Sequence, residues 1–441
     1  MKKFQYLNKQ LSDGNFCLFI RNEPRYTFKY DFKNGWDSQD RLIYPISHDL
    51  MNVAYAVYLM DRCSYISDKD KKRKIEANVE VNAPGFFNSK IKKKINDLLN
   101  WVTGDIWDIR YSASQVYLYA SQPILPYKVH SDRKIFLWSG GLDALAGLYH
   151  QMKVYPKSNF IPVHIGFNKN MQGKQEKLWR NLLHNSKGHE QPYQFEVSFS
   201  TSNIDRQDKL NDTCRTRGFC FLMFASAVAI SYNVQKVYMY ENGYGAFNIP
   251  YTASETASNQ SKSAHPKLLT EVAKIVSDFT ETQFTIQNPY IFKTKAQMLN
   301  PLIQDGAESL IFDSVSCDSP RRVEGIAHCG VCSSCILRRI ALNAAGLKNE
   351  EKYAVSIIKE PEFFKVFLKQ ARELSSLIYE NEGFASFIQE KTELYDVLWA
   401  LQEHGMSQHQ IEKQVIRLYK KHIKETHKFI SVMAPKLTEV A

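Results

Sequence analysis

Four cysteines, Cys317, Cys329, Cys332 and Cys335, fall in the single run CDSPRRVEGIAHCGVCSSC. Two overlapping C-x-x-C steps plus a fourth thiol one loop upstream can close a tetrahedral four-thiolate zinc site. A fold that uses this site must bring all four sulfurs to one point. Thiolates suit zinc because the ion is borderline-soft and has no d-electron preference for geometry. The alternatives are buried free thiols, a redox pair, which needs two sulfurs rather than four, and an iron–sulfur cluster. A site with all four positions filled by protein leaves no place for a catalytic water, so the metal is expected to be structural.

The second constraining feature is Ser139-Gly140-Gly141-Leu142-Asp143, between the apolar run Ile135-Phe136-Leu137-Trp138 and a helix-like stretch from Ala144. Strand, glycine turn and helix together aim backbone N–H groups and a helix N-terminus at an anion. The two glycines let main chain approach oxygens that a Cβ would block. Neither G-x-G-x-x-G nor G-x-x-x-x-G-K-[ST] occurs, so the dinucleotide fingerprint and the Walker loop are excluded. A plain strand-to-helix turn is the competing explanation.

At 441 residues the chain can hold two or three domains. Eight cysteines, four of them spaced for metal, fit a reducing cytoplasm better than a disulfide framework. The opening MKKFQYLNKQLSDG is too polar for a signal peptide, and the apolar stretch 219–230 is too short to span a membrane. A net charge of +11 allows nucleic-acid contact without demanding it. The lysine-rich runs 69–74 and 90–94 are expected to be solvated.

Three blocks follow. Residues 1–130 read as a β-rich α+β domain, with strands at 17–20, 75–81 and 107–111 and a helix at 49–65; recruitment or dimerisation is its expected role. Residues 131–345 alternate strands (135–138, 160–167, 195–199, 236–240, 284–287) with helices (175–184, 219–231, 267–279). That rhythm gives an α/β fold with a doubly wound, mostly parallel sheet, whose ligands bind beyond the carboxyl ends of the strands. Residues 346–441 read as a helical appendage, with helices at 362–379, 383–403 and 408–427.

Further pieces stand in order: Thr216-Arg217-Gly218, Glu241-Asn242-Gly243, Pro289 with Thr294-Lys295-Ala296-Gln297, Ser316-Cys317, and Cys329-Gly330-x-Cys332-Ser333-Ser334-Cys335-x-x-Arg338. With the Ser-Gly-Gly-x-Asp turn, this series resembles the 7-cyano-7-deazaguanine synthase (QueC-like) family of PP-loop ATP pyrophosphatases, a HUP-like fold. The blocks on either side resemble the longer QueC-like proteins of bacterial anti-phage operons, the Qat group among them. The resemblance implies an ATP-dependent carbon–nitrogen ligase. A 7-deazaguanine carboxylate would attack the α-phosphorus of ATP, releasing pyrophosphate, and an amine would displace AMP from the acyl-adenylate. In the Qat-like setting the amine would belong to a partner protein encoded in the same operon. The alternatives are nitrile synthesis with ammonia, or a catalytically weakened nucleotide-binding subunit.

In-line displacement at phosphorus is largely positioning and charge neutralisation. Gly140 and Gly141 would cradle pyrophosphate beside Ser139 and Leu142, Asp143 would hold Mg2+, and Lys295 and Arg217 are the candidate cations. The loop from Tyr244 to Tyr251 offers a base pocket in which Asn242, Gly243 and Phe247 are the substrate-binding candidates. Glu176 is a candidate polar contact, while His265 and His328 are expected at the surface. Two positions depart from the family pattern. Ala144 stands where it usually has serine, and Gly218 where asparagine is more frequent after the arginine.

Overall fold

The structure, a computed structural model, describes residues 2–7, 16–20, 23–33, 45–65, 72–114, 132–166, 169–185, 195–203, 210–211, 215–247, 262–317, 328–347, 353–355 and 394–438, with single positions between 368 and 375. The expected helix at 362–379, the 383–393 part of the next one, Lys69 to Lys71 and the loop 248–251 lie largely or wholly outside the described residues.

Three strands, β1 (Lys2–Leu7), β2 (Phe16–Ile20) and β3 (Glu23–Lys33), form an antiparallel meander. Helix α1 (Pro45–Cys63) leads into β4 (Lys74–Val81), α2 (Ser89–Thr103) and β5 (Ile106–Ala113). The second block runs β6 (Arg133–Leu137), α3 (Leu142–Val154), β7 (Asn159–Gly166), α4 (Lys169–Asn185), β8 (Phe195–Asn203), α5 (Arg217–Ser231), β9 (Lys236–Tyr238) and α6 (Gly243–Phe247). It continues with α7 (Pro266–Thr280), β10 (Thr285–Gln287), α8 (Lys295–Gln304), α9 (Glu308–Asp313) and α10 (Ser333–Ala344). Near the end come α11 (Leu394–Glu403) and α12 (Gln408–Thr438). Among the described residues no helix is long and apolar enough to cross a membrane.

All ten strands form one sheet, in the order β10-β9-β6-β7-β8-β3-β2-β1-β4-β5. Strands β6 to β10 are mutually parallel. Their order places the change of winding direction between β6 and β9, which is where a doubly wound sheet opens its ligand crevice. Strands of the first block extend this same sheet, because β3 pairs antiparallel with β8 from Tyr26↔Asn203 to Lys33↔Glu196.

Strand periodicity sorts the core into two layers, since successive side chains leave opposite faces. Ile135 and Leu137 pack under α1, α2, α5 and α7, whereas Phe136 and Trp138 pack under α3, α4 and α8. The first layer mixes residues 50–109 with 219–286, so both blocks share one hydrophobic core.

A buried ion network reinforces that junction. The Arg73 guanidinium donates to Asp61 at 2.7 Å and to Asp105 at 2.5 Å, and Arg215 donates to Asp105 at 2.8 Å. Arg73 is therefore a core residue rather than part of a solvated run: two carboxylates at the ends of α1 and α2 offset its burial. The lysines of 90–94 do face solvent, paired with Asp97, Asp108 and Asp278.

Four enclosed histidines make the fold acid-sensitive. Burial lowers His48 and His164 to about 4, and His265 and His422 to about 3. Each contributes fully above the unfolded value near 6.5 and loses that contribution as pH falls towards its folded value. At pH 5 the loss is about 2 kcal/mol per histidine. Asp49, raised by burial to about 6, and the carboxyls of Glu241 and Glu425, also raised by burial, work in the opposite sense and offset part of this. Urea midpoints should therefore drop steeply between pH 6.5 and 5, and His422→Phe should flatten the slope. A level profile would contradict the assignment.

Candidate functional site

The turn after β6 lies at the crevice. Gly140 has φ +69°, a left-handed backbone that favours glycine, and a Cβ there would lie 2.5 Å from Gln175 Cγ. Gln175 Nε2 donates to the Ser139 carbonyl at 2.5 Å, and its Oε1 contacts buried His164. The two N–H groups at the start of α3 are held by hydroxyls. Gly141 N–H donates to Ser139 Oγ at 3.2 Å, and Leu142 N–H donates to Ser316 Oγ at 3.1 Å. Val315 N–H donates to the Gly140 carbonyl at 3.0 Å, closing the turn from the other side.

Asp143, in the first turn of α3, is buried and contacts the ammonium of Lys295. Lys295 opens α8 behind a complete capping box. Thr294 accepts from the Gln297 N–H, and Gln297 accepts from the Thr294 N–H. Asn242, just past β9, donates to Asp143 at 3.3 Å and to Glu241 at 2.8 Å, while its carbonyl accepts from Gly245 N–H. Burial first, and the neighbouring Asp143 carboxylate second, push the Glu241 carboxyl well above the usual range, with Lys295 pulling the other way. Ser139, Gly140, Gly141, Leu142, Asp143, Asn242 and Lys295 are thus gathered from three strand ends.

Other expected residues sit elsewhere. Arg217 starts α5 at the same rim, yet among the described residues no hydrogen bond or ion pair links it to Asp143 or Lys295. Its neighbour Thr216 is anchored through N–H and hydroxyl to Asp61 at 3.0 Å. Phe247 is enclosed with Phe292 and Tyr419 in the apolar cluster under α12, so it supports α6 rather than presenting a stacking face. Gly243 permits close packing, since a Cβ would lie 1.9 Å from the Ile291 carbonyl oxygen. His265 and His328 are buried, not superficial. His265 is an N-cap accepting from Lys267 N–H at 3.1 Å, and His328 accepts from Ser316 N–H at 3.4 Å. Glu176 pairs with Arg180 on the exposed face of α4, one residue from the inward Gln175. Gln175, Ser316 and Glu241 thus join the site without having been singled out as site residues from sequence. Glu241 and Ser316 did stand in the motif series, whereas no local pattern marks Gln175.

The four sulfurs of Cys317, Cys329, Cys332 and Cys335 lie within 4.8 Å of one another. The Cys317–Cys332 and Cys329–Cys335 separations are 4.0 and 3.9 Å. A zinc–sulfur bond of about 2.3 Å gives tetrahedron edges of about 3.8 Å, so the group fits one ion. Cys329 N–H and Cys332 N–H each donate to a cluster sulfur at 3.3 Å. The adjacent Cys332 thiol and then burial push the Cys335 thiol up, a crowding that a bound cation relieves. Cys317 directly follows Ser316, so this centre braces the glycine turn after β6. Arg338, fully buried on α10, donates to Ser314 Oγ at 2.8 Å and completes the brace.

No curated protein matches the chain. Residues 133–346 match the family model described as queuosine biosynthesis protein QueC. The turn, the carboxylate–ammonium pair and the cysteine group all fall within that segment. Over residues 133–346, just under half of its length, the chain is thus similar to the QueC family of queuosine biosynthesis proteins.

Proposed function

We propose that the protein adenylates a 7-deazaguanine carboxylate with ATP and passes the acyl group to an amine. The observation that carries this reading is the buried Asp143–Lys295 pair, set beside the left-handed Gly140 turn at the winding switch. A carboxylate oxygen of the deazapurine attacks the α-phosphorus and pyrophosphate leaves. The amine then attacks the acyl carbon and AMP departs with the bridging oxygen. Lys295 turns from Asp143 to the departing phosphates, and the Ser139 and Ser316 hydroxyls yield the Gly141 and Leu142 N–H groups to them. Mg2+ held by Asp143 would neutralise phosphate charge, and zinc in the four-thiolate group would be structural.

The acceptor in this reading is the amine of a partner protein, as in Qat-like anti-phage conjugation. What supports it is the amount of chain outside the QueC-like segment, which a reaction with ammonia does not require. The test combines protein, Mg-ATP and carboxydeazaguanine with either ammonia or the product of an adjacent gene. AMP with a mass adduct on the partner supports conjugation. A free nitrile points to 7-cyano-7-deazaguanine synthesis, and no AMP at all points to a binding subunit.

A further inference from the structure

Helix α12 lies outside the QueC-like segment, yet one of its faces underlies the site. Leu418 reaches within 2.7 Å of where a Gly243 Cβ would be, and the His422 ring stacks on Tyr244 at 3.8 Å. One turn further along, buried Glu425 accepts a 2.8 Å hydrogen bond from the Thr294 hydroxyl. That hydroxyl also accepts from the Gln297 N–H at 3.2 Å, so both its donor and acceptor capacities are used in one geometry. Thr294 is fully buried and immediately precedes Lys295, whose ammonium meets Asp143.

We infer that Glu425 is a positioning residue: through Thr294 it fixes the first turn of α8 and thereby aims Lys295 at the anion turn. C-terminal helix α12 is on this account part of the site. Without the Glu425 oxygen the Thr294 hydroxyl is buried without an acceptor or must rotate, which removes the cap that orients Lys295. Glutamine preserves the acceptor, whereas leucine keeps the bulk and loses it. The effect on rate rests on the adenylation reading, but the effect on helix order does not.

The test measures carboxylate-dependent ATP–pyrophosphate exchange and amide hydrogen exchange over residues 294–298 in the full chain. Glu425→Leu should lower kcat roughly tenfold with KM for ATP within about twofold, and should speed amide exchange in that turn. Glu425→Gln should restore both. In a Lys295→Ala background Glu425→Leu should add no further loss, since its effect passes through the missing ammonium. Thr294→Val reaches the same contact from the other side if the leucine variant does not fold. Unchanged amide exchange at 294–298, or additive losses in the double variant, would overturn the inference. A wild type without pyrophosphate exchange would instead sink the adenylation reading, and the amide data would still decide the role of Glu425.

Discussion

Lys295→Ala should lower carboxylate-dependent ATP–pyrophosphate exchange by about 10²- to 10³-fold, acting mainly on kcat. On the proposed reading the ammonium would meet the oxygens on which charge accumulates as pyrophosphate leaves, and removing one such preorganised donor costs about 2.7–4 kcal/mol. Part of the result will be structural, because Asp143 is buried and loses its countercharge. Breaking a buried pair from one side typically costs about 3–5 kcal/mol of stability. The double variant Asp143→Asn with Lys295→Ala separates the two. It should recover much of the thermal stability, because no unpaired carboxylate remains, and none of the activity. Full activity in Lys295→Ala would remove the ammonium from the mechanism.

Loss of the four-sulfur centre should be equally severe by a different route. Cys329→Ala or a strong chelator should abolish metal binding, measured as one ion per chain by native mass spectrometry. Structural zinc contributes about 10–16 kcal/mol of apparent binding free energy in small domains. Even a fraction of this would lower the thermal midpoint by roughly 10 °C or more, at about 2 °C per kcal/mol. Activity should disappear with it, because Cys317 anchors the segment whose Ser316 and Val315 hold Leu142 and Gly140. A metal-free protein with an intact Tm and undiminished pyrophosphate exchange would refute this coupling.

The local chemistry of the site was written in short stretches of chain. The apolar run before Ser139, the paired glycines and the C-x-x-C spacing each obey rules that act over a few residues. The parallel strands β6 to β10 were legible for the same reason, as short β-rich runs separated by helical periodicity. What escaped was set by pairing across long sequence distances. β3 alternates Tyr26, Phe28, Tyr30 and Phe32 with polar residues, but nothing local says that its neighbour is β8. Arg73 looks solvated among lysines, and only Asp61 and Asp105, brought in by two helices, make its burial tolerable. Gln175 and Glu176 are adjacent and alike in size, but only the amide can donate to the Ser139 carbonyl, and the rotation of α4 turns it there. The cysteine group and the anion turn read as separate features, although Ser316 and Cys317 make them contiguous in space. Glu425 lies beyond any motif, and its partner Thr294 is found only when α12 folds back across α8.

The central functional claim is that a deazapurine carboxylate, not water, attacks the α-phosphorus at the turn after β6. Carboxydeazaguanine labelled with ¹⁸O in its carboxylate, incubated with the protein, Mg-ATP and an amine acceptor, tests it directly. Mass spectrometry should find one labelled oxygen in each AMP formed. Unlabelled AMP, or ADP in its place, would contradict the account.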